Sequence, residues 1–304
     1  MSRLTALLVS IQRALAIAAV IAQGGIAVTG SIVRVTGSGL GCPTWPECVR
    51  GSVVPVEHPD LAAVHQWIEF GNRTLTGVVG VITGLCLLAA WLNEPRRRRV
   101  VVLAAIQLGG VALQAVLGGI TVLTGLVWWS VSVHFLVSMG LVWFAVLLVK
   151  AIGEGDGPAR PLVQPGLVKL QVAQAVALFA LLLAGTFVTA AGPHAGDSTT
   201  PRLAVPVATL AQLHADLLFL FLGMLVAMGF LHRSRPYWIL VATVVAQGAL
   251  GMIQYWTGVP EVLVSLHVLG AGAVVVATAA LWVSTRERAN TESTVDEREL
   301  VAAQ

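Results

Sequence analysis

Polar and apolar positions are strongly segregated along the chain. Eight long stretches almost free of charge, at residues 11–31, 67–91, 100–122, 129–150, 167–190, 206–231, 237–257 and 262–283, alternate with short polar segments. Each approaches or exceeds the roughly 20 apolar residues with which a helix crosses a hydrocarbon core. The runs are too long for tilted barrel strands and lack the alternation of a strand with one lipid-facing side. The expected fold class is therefore an all-α membrane protein with eight transmembrane helices, since only helices and closed barrels satisfy their backbone inside a bilayer. Composition strengthens this: 57% of the residues are hydrophobic and 11% charged, with mean hydropathy +0.85. Soluble domains carry about 25% charged residues.

Charge sets an orientation. Arg3, Arg13, Arg96 to Arg99, Lys150, Arg160, Lys169, Arg233, Arg235, Arg286, Arg288 and Arg298 place 14 of the 18 basic residues on one side of the membrane. Arg34, Arg50 and Arg202 fall on the other side, and Arg73 near the start of the second span. Loops rich in Lys and Arg stay in the cytoplasm, so the chain is expected to be a multi-pass protein of the cell (inner) membrane with both termini cytoplasmic. The net charge of +3 and pI near 9.1 express this bias and do not argue for a nucleic-acid partner. Membrane lipids are the expected surroundings, and the run Arg96 to Arg99 reads as a topology signal.

The second half of the chain repeats the first. Shifted by 133 residues, Gln114, Leu117, Gly118, Ile120, Thr124, Gly125, Ser132, His134 and Leu136 fall on Gln247, Leu250, Gly251, Ile253, Thr257, Gly258, Ser265, His267 and Leu269. The first span has its partner in the fifth, where Gly25, Val28 and Thr29 match Gly185, Val188 and Thr189. The first span therefore belongs to the fold and is not read as a removable signal peptide. Each unit has four spans, an even number, so the repeat is parallel and predicts two pseudo-symmetric four-helix bundles. The expected division is 1–152 for the first bundle, 153–165 for a cytoplasmic linker, 166–284 for the second bundle and 285–304 for a disordered cytoplasmic tail. One difference between the units stands out. From Thr29 to Asn72 is 43 residues and from Thr189 to His214 is 25, so the first outer loop is 18 residues longer, and it carries Cys42 and Cys48.

Histidines point to chemistry. His134, His214 and His267 lie within spans, in their outer halves; His65 lies at the outer mouth of the second span. His58 and His194 are in outer loops and His232 is at the cytoplasmic edge. Ionisable residues inside a membrane are costly and read as functional, although a single one can simply bond a neighbouring helix. His134 and His267 occupy equivalent places in duplicated helices, which weakens that plainer reading. His214 and His267, in one bundle, suit the two axial positions of a haem. Zinc fits less well, because no third or fourth ligand is evident.

With these residues the chain resembles the haem A synthase family. The resemblance covers almost the whole sequence and rests on GSIVRVTGSGLGCPTWPEC (Gly30–Cys48), IEFGNR (Ile68–Arg73), SVHFLVSMG (Ser132–Gly140) and SLHVLGAG (Ser265–Gly272). It implies an oxidoreductase that converts the methyl group of haem O to a formyl group through a hydroxylated intermediate, for cytochrome oxidase assembly. It implies haem O as substrate in the first bundle, and haem b held by His214 and His267 in the second. Haem O synthase and an electron acceptor are the implied partners. Family positions carry over to His134, His214 and His267 as iron ligands, to Glu69 as the catalytic carboxylate, and to the loop pair Cys42 and Cys48. One position departs: Asn72 stands, ahead of Arg73, where the family usually has histidine. Either His134 holds the substrate haem alone, or His65 reaches it from above, from about 10 Å along the helix axis.

Several residues remain with two readings. Cys42 and Cys48, stiffened by Pro43 and Pro46, can form a disulfide outside the cytosol, with either a structural role or a redox-linked or substrate-holding one. Cys86 reads as a small hydrophobe. Arg73, Arg34 and Arg202 are candidates to pair with haem propionates, Arg73 first among them. Glu261 suits a helix start, and Asp216 receives no role. Two other functions compete: a dihaem membrane cytochrome that only transfers electrons and needs neither Glu69 nor the cysteine loop, and a transporter, which would contain no haem.

Overall fold

Eight helices long and apolar enough to cross a membrane are present in the computed structural model, which describes residues 3–289. A short helix α1 (Arg3–Ser10) precedes them. They are α2 (Gln12–Val35), α3 (Ala63–Leu92), α4 (Arg98–Leu123), α5 (Trp128–Ile152), α6 (Pro165–Ala191), α7 (Val207–Leu231), α8 (Arg235–Trp256) and α9 (Glu261–Ser284). The expected boundaries agree with these to within four residues, the widest gaps lying at the end of α2 and the start of α3. There hydropathy fades before the helix does. Arg34 sits in the last turn of α2, where a cation suits the helix dipole. Proline marks other starts: Pro165 opens α6, while Pro206 and Pro260 cap α7 and α9 from outside. Glu261 takes the first position of α9, a favoured place for an acid.

The duplication is written into the backbone. Gly125 and Leu126, between α4 and α5, have φ of 68° and 59°; Gly258 and Val259, between α8 and α9, have 82° and 61°. A bulky residue at positive φ is rare, and here two recur 133 residues apart. Each is held the same way: Leu126 N–H donates to Thr121 O and Val259 N–H to Gln254 O, both at 2.8 Å.

Packing is closest along α2–α3, α4–α5, α2–α5 and α3–α4 in the first unit and along α6–α7 and α8–α9 in the second. Between units, α2 and α5 both pack on α9, and α5 also on α6. The second unit is looser, since α6 and α9, and likewise α7 and α8, meet only briefly. Helix α3 stands diagonally from α5, as α7 does from α9. An apolar core fills the half of the second unit nearer the α7–α8 connection, around Phe221, Met228, Leu240, Val275 and Leu281, and includes Met139 and Val142 of α5.

The end of the molecule where the described residues begin and end is tied together by charge. Arg97 pairs with Asp156 at 3.0 Å, and Arg99 with Glu154. The 153–165 segment is thus pinned to the α3–α4 connection, which gives the arginine run a contact beyond its effect on topology. Disorder of the tail from residue 285 does not hold for its first residues. Thr285 Oγ1 donates to buried Gln171 Oε1 at 3.0 Å. After it β2 (Arg286–Arg288) pairs antiparallel with β1 (Ala159–Pro161), Arg160 facing Glu287. The polar end of α9 finds partners in the linker and so stays ordered. The rest of the tail, with Arg298, lies outside the described residues.

Candidate functional site

One cavity of about 260 Å³ lies between the two units, in the half of the molecule nearer the disulfide loop. His134, His214 and His267 all line it, with Asn72, Gln114 and Arg34. Helices α5 and α9 begin at Trp128 and Glu261, so His134 and His267 enter at the same depth. The cavity wall is otherwise apolar or small, from Ile26, Val79, Phe135 and Leu182 to Gly30 and Gly185.

Each histidine ring is seated on a glycine of the neighbouring helix. A Cβ built on Gly185 would lie 3.1 Å from His214 Cε1, one on Gly251 3.0 Å from His267 Cε1, and one on Gly118 3.4 Å from His134 Cε1. These glycines let the rings pack against backbone. His214 Nδ1 lies 3.0 Å from Leu181 O; it therefore carries the proton and leaves Nε2 for a ligand role. The duplicated glutamines complete the construction: Gln114 Nε2 donates to His134 O at 2.9 Å and Gln247 Nε2 to His267 O at 2.8 Å. The spacing of 20 between Gln and His is thus a cross-helix clasp. Gly251→Ala should push the His267 ring out of place at a cost of about 1–3 kcal/mol, as overpacking does. Weaker haem retention beside unchanged membrane insertion is the expected measurement.

His214 and His267 face each other with ring centres 6.4 Å apart. Imidazole nitrogens sit about 2 Å from a bound metal, so two rings on opposite sides of one ion stand about 6 Å apart. The 6.4 Å spacing, with the ring planes inclined at 61°, is the spacing that axial ligation of a planar macrocycle would require. Among the described residues no cluster of three or more His, Cys, Asp or Glu side chains is suited to a metal, so the donor set is not that of a tetrahedral zinc site. The Nδ1 atoms of His134 and His267 are buried without a partner.

Glu69 is buried and does not line the cavity. It lies on the α3 stripe of Asn72, Thr76 and Val79, which do, one turn nearer the disulfide loop. Its Oε2 accepts from Cys42 N–H at 2.7 Å and its Oε1 from Arg73 Nε at 3.1 Å. Arg73 also donates to the carbonyls of Cys42, Thr44 and Glu47. Its guanidinium is thereby committed to the loop, and Arg34, not Arg73, is the arginine at the cavity. Arg34 donates to His194 O and Thr189 O, at 2.7 and 3.1 Å, joining α2 to the end of α6. Arg202 binds the carbonyls of Gly192 and Pro193.

His65 is likewise turned away from the cavity. Its Nδ1 lies 2.8 Å from Ser38 Oγ, and its backbone carbonyl underlies Gly41, where any Cβ would collide. Cys42 and Cys48 form a disulfide, and Trp45, between them, packs on Gly119 of α4 at 2.7 Å from where a Cβ would be. Thiol labelling of the unreduced, denatured protein should therefore modify only Cys86, which is free and buried; three labelled thiols would contradict the pairing. Asp216 is exposed and accepts from Gln212 at 2.7 Å, apart from the histidines.

The profile of the family described as COX15-CtaA, cytochrome oxidase assembly protein, matches residues 13–280. The chain belongs to that family. Relatives named heme A synthase align over much of its length. The protein of Alkalihalophilus pseudofirmus is 27% identical over 82% of this chain and 86% of its own. That of Halalkalibacterium halodurans is 28% identical over 78% and 82%. The protein of Lysinibacillus sphaericus is 33% identical over 45% of this chain, and the match spans 43% of that relative's length. Within the family frame, the glycine seats and the Gln–His clasps are what residue-by-residue reading missed. The glycines and glutamines were visible in the repeat as matched pairs, but what they touch was not.

Proposed function

We propose that this chain is a haem A synthase, an oxidoreductase that converts the haem O methyl group to a formyl group for cytochrome oxidase assembly. The observation that carries the reading is the cavity shared by His134 of one unit and the His214/His267 pair of the other, in a chain of this family. Haem O is the substrate, held by His134 in the first unit. Haem b is the resident cofactor, held by His214 and His267; when bound it supplies one-electron transfer. Arg34 offers the cavity a cation for the carboxylates of a haem edge. The His214 ring is oriented by Leu181 O, while the glutamine clasps hold the backbone at His134 and His267.

Glu69 is the acid–base group of the reading. It extends the cavity-lining stripe of α3 under the disulfide loop, which shields that end of the first unit from water. Arg73 and Cys42 N–H keep the carboxylate oriented, and a positioned carboxylate can take a proton from an attacking water. The basic loops give the orientation: termini in the cytoplasm, disulfide loop and cavity outside. Such a placement is one in which a disulfide persists.

Expression with a source of haem O, followed by analysis of extracted haems, tests the function. Haem A or its hydroxylated intermediate is expected. Bound haem with haem O left unchanged would favour a dihaem cytochrome that only transfers electrons.

A further inference from the structure

The two units treat equivalent positions differently. In the second, His214 on α7 and His267 on α9 reach across the diagonal and face each other at 6.4 Å. The corresponding diagonal of the first unit runs from α3 to α5. Helix α5 supplies His134 to the cavity, and α3 supplies Asn72, the counterpart of His214 in the repeat. Asn72 also meets a glycine of the preceding helix, since a Cβ on Gly30 would lie 3.9 Å from its Nδ2. No other ligand type takes the histidine's place. The cavity wall holds no His, Cys or Met side chain besides His134, His214 and His267. His65, the histidine of α3, is held by Ser38 outside the wall.

Asn72 is itself oriented. Its Oδ1 accepts from Thr29 Oγ1 at 2.7 Å, the shorter of two contacts of a hydroxyl that also lies 3.0 Å from Ile26 O, and Thr29 belongs to α2. That bond leaves the amide nitrogen, with its two hydrogens, as the group Asn72 can offer to the cavity. A neutral amide is a hydrogen-bond donor through its nitrogen and not an iron ligand.

We propose that the haem held by His134 keeps one axial face open, and that Asn72 serves that face as a hydrogen-bond donor to a small neutral ligand such as water or a diatomic gas. The proposal rests on the reading of the first unit as a haem site. It makes the two haems unlike by construction: the second unit closes both axial positions, and the first closes one. It also assigns Asn72 a binding role that a histidine there would abolish.

Carbon monoxide tests this on the full chain, purified in detergent with both haems and reduced. One haem should take up the gas, while the haem of His214 and His267 stays six-coordinate and unreactive. Asn72→His should abolish the gas-reactive fraction and add a second low-spin species. Asn72→Leu, which cannot ligate iron, should retain the reactive fraction but move the C–O stretch to higher frequency as the donor is lost. His65→Ala should leave both signals as they are. A wild-type protein with two haems and no gas-reactive one would overturn the proposal, as would a C–O stretch unmoved by Asn72→Leu. The parent reading fails differently: a folded His267→Ala protein with no haem at all would show that the first unit holds none.

Discussion

Replacing His267 with alanine is expected to strip the low-spin haem from the second unit and leave the rest of the fold standing. The ring is one of two facing at 6.4 Å, and it is seated on Gly251 with its own backbone carbonyl clasped by Gln247. Removing a group that merely supports a metal ligand costs about 10–100-fold in affinity; removing the ligand should cost more. His214→Ala should do the same, because the site needs both rings. The space it leaves is apolar-walled, so the helices themselves should insert normally. Haem per chain, measured as the pyridine complex, together with the low-spin EPR signal, decides the matter. Full low-spin haem in both variants would remove the pair from the reading, and His134→Ala serves as the control that leaves this signal intact.

Such a test could be designed from the sequence, because the features it uses are periodic. Apolar runs longer than a strand give the spans, and a second copy of Gln, Gly and His at constant spacing distinguishes His134 and His267 from incidental helix histidines. What periodicity does not encode is which partner a polar group meets. Arg34 and Arg73 are alike in sequence, each near the outer end of a span. One is drawn to the carbonyls at the end of α6 and so reaches the cavity, while the other is captured by Glu69 and the loop carbonyls. His65 sat at the right mouth to be considered a ligand, but Ser38 of the long loop holds it. The ordering of Arg286–Arg288 against the linker depends on an uncharged pair, Thr285 with Gln171, 114 residues apart. Contacts of that kind follow from the fold and have no local signature.

Glu69 presents the sharpest case, because its surroundings support two roles at once. Its carboxylate closes the disulfide loop through Cys42 N–H and the Arg73 ion pair, 2.5 Å between Nη2 and Oε1. It is also the acid on the cavity-lining stripe of α3, one turn from Asn72. Glu69→Gln keeps the acceptor for Cys42 N–H and removes the charge. If Glu69 is the acid–base group, turnover should fall by about 100-fold or more, the contribution of a positioned proton-transfer group. Haem O or a hydroxylated intermediate should accumulate, with the second unit's low-spin haem unchanged. A role confined to holding the loop gives a different pattern. Arg73→Met would then be as damaging as Glu69→Gln, since each breaks the same ion pair, and both would loosen the loop enough for reductant to open the Cys42–Cys48 disulfide faster. The expected result separates them: Glu69→Gln loses turnover while its disulfide stays as slow to reduce as in the parent protein, and Arg73→Met opens the loop yet keeps a measurable part of the activity. A fully active Glu69→Gln protein would take the carboxylate out of the chemistry and leave it as the anchor of the loop.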